Sequence, residues 1–337
     1  MLQRVICYFF SMMSYGSQSH INATMNMSTE QQYQGILERA VFSTVTTVPC
    51  CVFLFINGTM LFTLRSKPVF RETSRYILLF NLLLADTVQM AVSQLLYIIA
   101  VCRVTLTYPV CGAMAMLALL TNEISPLTLV VMSLERYVAV CYPLRHSTIV
   151  TIRNTGIAIV VIWAFSSLNV VTRVLLILQF PFEKLETLKM KDFCSDLSLF
   201  LDPVSVHYDK AYTCFLFISA SVAISSSYVG VTLAARSAST DKISARKARN
   251  TLLLHLVQLV LSLSSTIYNP FLIALSKIVI RIVFVRIQNV FYVCIFIFPR
   301  CLSSLIYGIR DQTIRPILAY HLCCRLKPSV ISVKADN

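Results

Sequence analysis

Charge is scarce in this chain. Only 13% of its 337 residues are Asp, Glu, Lys or Arg, whereas 57% are hydrophobic, and the mean hydropathy is +0.73. A soluble domain of this size could not cover its surface from so small a polar stock. Seven glycines and one tryptophan argue against β-rich and low-complexity architectures. Ten-residue segments of alternating polarity are missing, which excludes a membrane β-barrel. Internal repeats and Gly/Pro-broken helices are missing too, and a transporter would show them. The five histidines (His20, His146, His207, His255 and His321) are scattered. They offer neither the zinc spacing of a metal centre nor the Ser/His set of an intramembrane enzyme, so no metal, cofactor or catalysis is implied.

What the chain has is apolar length. An α-helix crosses the hydrocarbon with about 20 mostly apolar residues. Such runs occupy Ala40 to Leu64, Tyr76 to Val101, Cys111 to Val140, Gly156 to Leu178, Ala211 to Ala234, Thr251 to Leu275 and Val283 to Tyr307. The sequence therefore predicts an all-α, seven-transmembrane helix bundle over residues 40–308. An extracellular N-terminal tail (1–39) precedes it, and a cytoplasmic segment (309–337) follows. In that last segment RDQTIRPILAYHLCCRLKP reads as a short amphipathic helix on the inner surface.

With the N-terminus outside, more than half of the 29 basic residues fall in inner connections, Arg71, Arg75, Lys242, Arg246 and Lys247 among them, while outer segments are near neutral. This is the positive-inside bias. The net charge of +14 then reports topology and contact with anionic membrane lipid, and it requires no nucleic-acid partner. Asn22-Ala23-Thr24 and Asn26-Met27-Ser28 are glycosylation acceptors, usable only on the lumenal side. Asn57-Gly58-Thr59 also fits the pattern but lies inside the first run and is set aside. The opening MLQRVICYFFSMMSYG has a signal-peptide flavour; a natural start at Met25 or Met27 is the alternative reading.

Ionisable groups at membrane depth mark function by default. Asp86, Glu123, Glu135, Arg136, His255 and Arg300 qualify. At a rise of ~1.5 Å per residue, Asp86 sits ~16 Å above Arg75 and Arg300 ~15 Å above Arg310, so the two share a level and should pair, with the Ser125 hydroxyl close by. The competing reading places each in its own water pocket. Glu135 and Arg136 lie ~37 Å beyond Cys111, at the inner mouth of the third run. Two readings stand there: a resting ion pair that releases Arg136 toward a cytoplasmic partner or a tyrosine such as Tyr228 or Tyr307, or a snorkelling arginine that anchors the helix end. Among twelve cysteines, Cys111 at the outer mouth and Cys194 in the long outer loop face an oxidising space. Their disulfide is the natural pairing, with Cys102 as competitor for Cys194. Cys323 and Cys324, beside Arg325 and Lys327, fit palmitoylation sites or ordinary reduced thiols equally.

These residues together resemble the rhodopsin-like (class A) G-protein-coupled receptors. Asn57 matches that family's first-helix Asn, NLLLAD ending at Asp86 its second-helix motif, and Glu135-Arg136-Tyr137 its Asp/Glu-Arg-Tyr motif. Cys111, Trp163 and Cys194 match its third-helix Cys, fourth-helix Trp and outer-loop Cys. FINGTMLFTL, RYILLFNLLLADTVQ, TNEISPLTLVVMSLERYVAVCYPLRH, KARNTLLLHLVQL and FPRCLSSLIYGIRD are similar to odorant receptors of the fish type. The resemblance implies a small-molecule odorant bound from outside and a heterotrimeric, olfactory-type stimulatory G protein with cAMP signalling. It also implies residence in the plasma membrane of an olfactory sensory neuron. A class A receptor for an amine or peptide is the alternative.

The chain departs from the family in three places, one of them a fifth run that lacks the usual Pro. Ser303, Ser304, Leu305, Ile306 and Tyr307 stand where Asn-Pro-x-x-Tyr is usual, so a less kinked seventh helix is expected. Arg300 stands near a level where relatives hold sodium. By depth, the odorant pocket is expected to involve Ala118, Leu119, Asn122 and Glu123 of the third run with Tyr268, Gln288 and Phe291. Asn122 and Glu123 serve equally as structural groups that link helices.

Overall fold

Five of the apolar runs form continuous helices long enough to cross a bilayer. The computed structural model describes residues 26–102, 104–178, 194, 203–237, 290–311, 313–322 and scattered positions between 249 and 287. The long helices are α1 (Asn26–Ser66), α2 (Ser74–Val101), α3 (Tyr108–Cys141), α4 (Ile152–Leu178) and α5 (Pro203–Ser237). Most of the sixth run lies outside the described residues. The seventh is described from residue 290 onward.

The starts follow local chemistry. Pro109 lies in the first turn of α3, where a missing N–H is harmless and a fixed φ suits the helix. Pro68 and Pro143 likewise open the short helices Pro68–Arg71 and Pro143–Ile149 that join α1 to α2 and α3 to α4. α1 begins at Asn26, about four turns earlier than the run at Ala40 suggests. Part of the expected tail is therefore helical: residues 26–40 hold no proline that would stop it. The chain divides into two units, residues 1–44 and 45–337, and all groups discussed below belong to the second.

α3 is the axis of that unit and packs against α2, α4 and α5. The largest apolar cluster gathers Met60 and Leu64 of α1, Leu78 and Leu82 of α2, Leu129 and Met132 of α3, and Phe217 and Ile224 of α5. The outside is the reverse of a soluble protein. Val160, Val161 and Leu168 on α4 and Phe215, Ile218 and Val222 on α5 are exposed, whereas Asn57, Asp86, Gln89, Glu123, Arg173 and Arg300 are buried. Apolar side chains suit lipid, and intramembrane charge must find its partners inside. Asn81 shows the pattern: its amide donates to Thr128 Oγ1 at 2.9 Å and its oxygen accepts from Trp163 Nε1 at 2.8 Å, which ties α2, α3 and α4.

The seventh run corrects one expectation. It is not smoother for lacking the Asn-Pro step: a π-helical turn spans Tyr292–Ile297 before the helix Phe298–Arg310. Pro299 lies just beyond that turn. Its ring has no N–H and crowds the carbonyl four residues back, and a wider turn relieves the clash.

The amphipathic C-terminal helix forms over Ile314–Leu322 and buries Ile314 and Leu318 in the main cluster. A Cβ at Gly308 would meet the end of the Leu318 side chain, which would have to shift. Asp311 fixes the corner. Its carboxylate accepts from Thr313 N at 3.0 Å and Ile314 N at 3.4 Å, receives the Tyr76 hydroxyl at 3.3 Å and pairs with Arg75 Nη2 at 3.3 Å. Asp311→Ala should lower stability by about 1–2 kcal/mol as a lost cap. Asp311→Asn keeps an acceptor and should lose less. Thermal unfolding midpoints in detergent check the order.

Candidate functional site

At one end of the bundle Cys111, the fourth residue of α3, forms a disulfide with Cys194, with Cα atoms 5.6 Å apart across 83 residues of sequence. Cys102 is free and exposed, so Cys111 rather than Cys102 holds the loop cysteine. Cross-links that close long loops stabilise chiefly through the unfolded chain. Cys111→Ser should therefore lose about 2–4 kcal/mol, read as a lower thermal midpoint than wild type under non-reducing conditions.

Deeper in the bundle, Arg300 Nη1 lies 3.3 Å from Asp86 Oδ1, which accepts the Ser125 hydroxyl at 2.7 Å. Arg300 Nη2 donates to Asn122 Oδ1. Asp86 and Arg300 are 1% and 2% exposed. Here α2, α3 and the Phe298–Arg310 helix meet through one ion pair. Asn57 joins from α1: its amide reaches the Arg300 carbonyl at 3.4 Å, and its oxygen accepts the Ser304 hydroxyl. The hydroxyl in contact is that of Ser304. Ser303 and Tyr307 lie on the same helix, with side chains outside the described set.

A second charged group joins α3, α4 and α5. Arg173 Nη2 is 3.3 Å from Glu123 Oε1, and Arg173 Nη1 is 2.6 Å from Asp209 Oδ1. The Asn169 amide donates to Glu123 Oε1, and its oxygen accepts the Tyr208 hydroxyl at 2.7 Å. The Tyr212 hydroxyl reaches Glu123 Oε2 at 3.2 Å. Sequence reading passes over Arg173 and Asp209. The signal was present: Arg173 is an arginine inside the fourth apolar run, four residues from Asn169 and so on the same helix face.

At the far end of α3, Arg136 Nε pairs with Glu135 Oε2 at 3.2 Å, while Glu135 Oε1 lies 3.8 Å from His146 Nε2 on the Pro143–Ile149 helix. Arg136 Nη2 is buried without a hydrogen-bond partner. Tyr228 packs with Tyr137 around Val231 and Leu252. Gly230 of α5 lies so close to Tyr137 that a Cβ there would collide with the ring.

The expected pocket residues separate in the structure. Asn122 faces Arg300 while Glu123 faces α4 and α5. Ala118 is buried, and Leu119 packs on Tyr108, Val170 and Ile177. Phe291 is half-buried. Tyr268 and Gln288 lie outside the described residues, as do Asn22, Cys323 and Cys324, and the Asn26 side chain.

The family described as 7 transmembrane receptor (rhodopsin family) matches residues 56–307, from the first apolar run to the end of the seventh. Odorant receptor 131-2 of Danio rerio is 33% identical over 81% of this chain and 83% of its own length. Olfactory receptor 4K15 of Homo sapiens is 26% identical over 79% of this chain and 81% of its own length. Olfactory receptor 2A1/2A42 of Homo sapiens is 42% identical over a shorter stretch, 21% of this chain and 23% of its own length. An inside-out helical bundle, polar groups linking its helices at mid-depth, a disulfide at one end and an Arg-centred pair at the other thus coincide with a match over most of the chain: this multi-pass membrane protein belongs to the rhodopsin family of seven-transmembrane receptors, not to an enzyme family.

Proposed function

We propose that the protein is an odorant receptor: a small molecule from outside binds in the disulfide-end half of the bundle, and the far end then activates a stimulatory, olfactory-type G protein and raises cAMP. The relatives named as odorant and olfactory receptors support the ligand class. The observation that carries the switching step is Arg136. It is held by its neighbour Glu135 at 3.2 Å while Nη2 stays buried and unpartnered. A charge tethered on one side and unsatisfied on the other gains from a new acceptor once the helix ends part, and that differential contact is what a two-state element needs. Ala118, Leu119, Asn122, Glu123, Tyr268, Gln288 and Phe291 are the residues proposed to sense the ligand, directly or through the groups that they hold. The site of action is the plasma membrane of a sensory neuron. Asn22 and Asn26 are the proposed glycan acceptors, and Cys323 and Cys324 the proposed lipidated thiols.

The test is cAMP in transfected cells exposed to an odorant panel. Wild type should respond to a subset of odorants, and Arg136→Ala, at equal surface expression, should lose most of that response. Silence toward every odorant while a different G-protein pathway responds would overturn the coupling.

A further inference from the structure

Glu135 is one carboxylate set between two basic side chains. Its Oε2 pairs with Arg136 Nε at 3.2 Å, and its Oε1 lies 3.8 Å from His146 Nε2. Among the described residues it is the acid that pairs with either of them. The short helix Pro143–Ile149, which carries His146, packs against α3. The charged groups that face His146 from α3 are therefore Glu135 and Arg136. On its own helix Arg145 is exposed. Tyr137, Cys141 and Tyr142 stand at the turn between the two helices, where the tyrosine rings meet each other edge to face with centroids 6.0 Å apart. The Glu135–Arg136 switch leaves His146 without a task.

Two nitrogens are buried there without a hydrogen bond, Arg136 Nη2 and His146 Nε2, although buried polar groups nearly always find a partner. The 3.8 Å between Nε2 and the Glu135 oxygen is too long for a hydrogen bond. While Nε2 lacks a proton, it and the carboxylate are both acceptors, and nothing draws them together. In a protonated ring both nitrogens donate, so the same gap can close into a charged pair. Water reaches the ring for that exchange: the His146 side chain is 36% exposed although Nε2 is turned inward, whereas the Glu135 side chain is 10% exposed. Histidine is also the side chain whose charge ordinarily changes between about pH 5 and pH 8.

We propose that His146 is a proton-operated second partner for Glu135, and that acidification on this side of the bundle favours release of Arg136. In the resting arrangement a protonated His146 and Arg136 share one carboxylate and repel each other. After release, Glu135 keeps His146 as its cation, so the acid is not stranded and the repulsion is gone. The proton and the release therefore favour each other, and linkage makes the effect reciprocal. The sign follows: the released state gains wherever His146 is protonated, and the gain is lost as pH rises. The inference rests on the reading of this end as the cytosolic one that meets the G protein, and it adds a regulator to that switch.

The first test needs no signalling. Full-length receptor carrying isotope-labelled histidine is titrated by NMR in lipid nanodiscs, and His146→Gln identifies the His146 signal. The proton affinity of His146 should fall about twofold to fivefold in Glu135→Gln, the worth of a partly exposed ion pair. It should rise in Arg136→Met, which removes the competing cation as release would. Either variant decides alone if the other does not fold; an unchanged affinity, or a change of the opposite sign, overturns the proposal. The second test is ligand-free nucleotide exchange on a purified stimulatory G protein, at about pH 6 and about pH 7.5, where histidine changes charge. On acidification wild type should gain about twofold to fivefold relative to His146→Gln. An equal response in His146→Gln would send the proton elsewhere, to Glu135 for one, and the proposal would fall. Exchange that stays silent at both pH values while the NMR order holds counts against the G-protein reading and leaves this proton site standing.

Discussion

Arg300→Ala should give a receptor that reaches the cell surface poorly and unfolds about 3–5 kcal/mol more easily than wild type, as expected when one partner of a buried pair is removed. The loss comes from what stays behind. Asp86 is 1% exposed, and without Arg300 Nη1 at 3.3 Å it loses a cationic partner that a hydrogen bond such as that from Ser125 at 2.7 Å does not replace. Asn122 loses its donor as well. Asp86→Leu alone should be damaging for the mirror reason, because it takes the carboxylate at 3.3 Å away from a buried guanidinium. The double variant Asp86→Leu/Arg300→Met should be more stable than either single change, since replacing both ions with apolar groups of similar size removes the stranded charge. A double-mutant cycle on thermal midpoints reads the coupling. The pair carries no such energy if Arg300→Ala unfolds like wild type, or if the double variant is no better than the worse single one. Ser125→Ala is the graded control: it removes one hydrogen bond and should lose only about 1–3 kcal/mol.

Spacing placed Asp86 and Arg300 at one depth and left open a direct pair or two separate water pockets, and it shows what a membrane sequence gives away. Helix rise is constant, so counting from Arg75 and Arg310 fixes depth, and opposite charges at one depth in hydrocarbon have few options besides each other. The Cys111–Cys194 bond was legible for a related reason, since few cysteines lie at the outer ends of the runs. Rotation about the helix axis is what counting does not deliver. Asn122 and Glu123 are adjacent, so ~100° of turn separates them; one belongs to the Arg300 group and the other to the Arg173 group. Both residues link helices, the second of the two roles that the sequence left open, but they do so in two separate groups. Ser303 and Ser304 pose the same problem one residue apart. The π turn at Tyr292–Ile297 has no signature in hydropathy or depth; the one local mark of it in the sequence is Pro299. Asp209 was missed because it sits just ahead of the fifth apolar run, where an acid reads as an ordinary helix-end residue until Arg173 is seen to reach it.

The Arg173 group should respond to mutation asymmetrically, and the asymmetry tests its geometry. Arg173→Met leaves two carboxylates facing each other's field. Glu123 is sealed, with only the Asn169 amide and the Tyr212 hydroxyl to hold its charge, whereas the 30% exposure of the Asp209 side chain lets water screen it. The substitution should lose about 3–5 kcal/mol, nearly all of it through Glu123. Arg173→Lys should fall between: it keeps a cation but not the planar fork that reaches Nη2 to Glu123 at 3.3 Å and Nη1 to Asp209 at 2.6 Å together. Adding Glu123→Gln to Arg173→Met removes the stranded charge while its carbonyl can still accept from Asn169 and its NH2 can donate to the Tyr212 oxygen, so it should recover most of the loss. Adding Asp209→Asn instead should recover little. Thermal midpoints of the five proteins in one detergent set the order as wild type, Arg173→Lys, Arg173→Met/Glu123→Gln, Arg173→Met/Asp209→Asn and Arg173→Met, with the second and third close together. If Asp209→Asn rescues Arg173→Met as well as Glu123→Gln does, burial does not distinguish the two acids, and the sealed side of the group is not where the structure puts it.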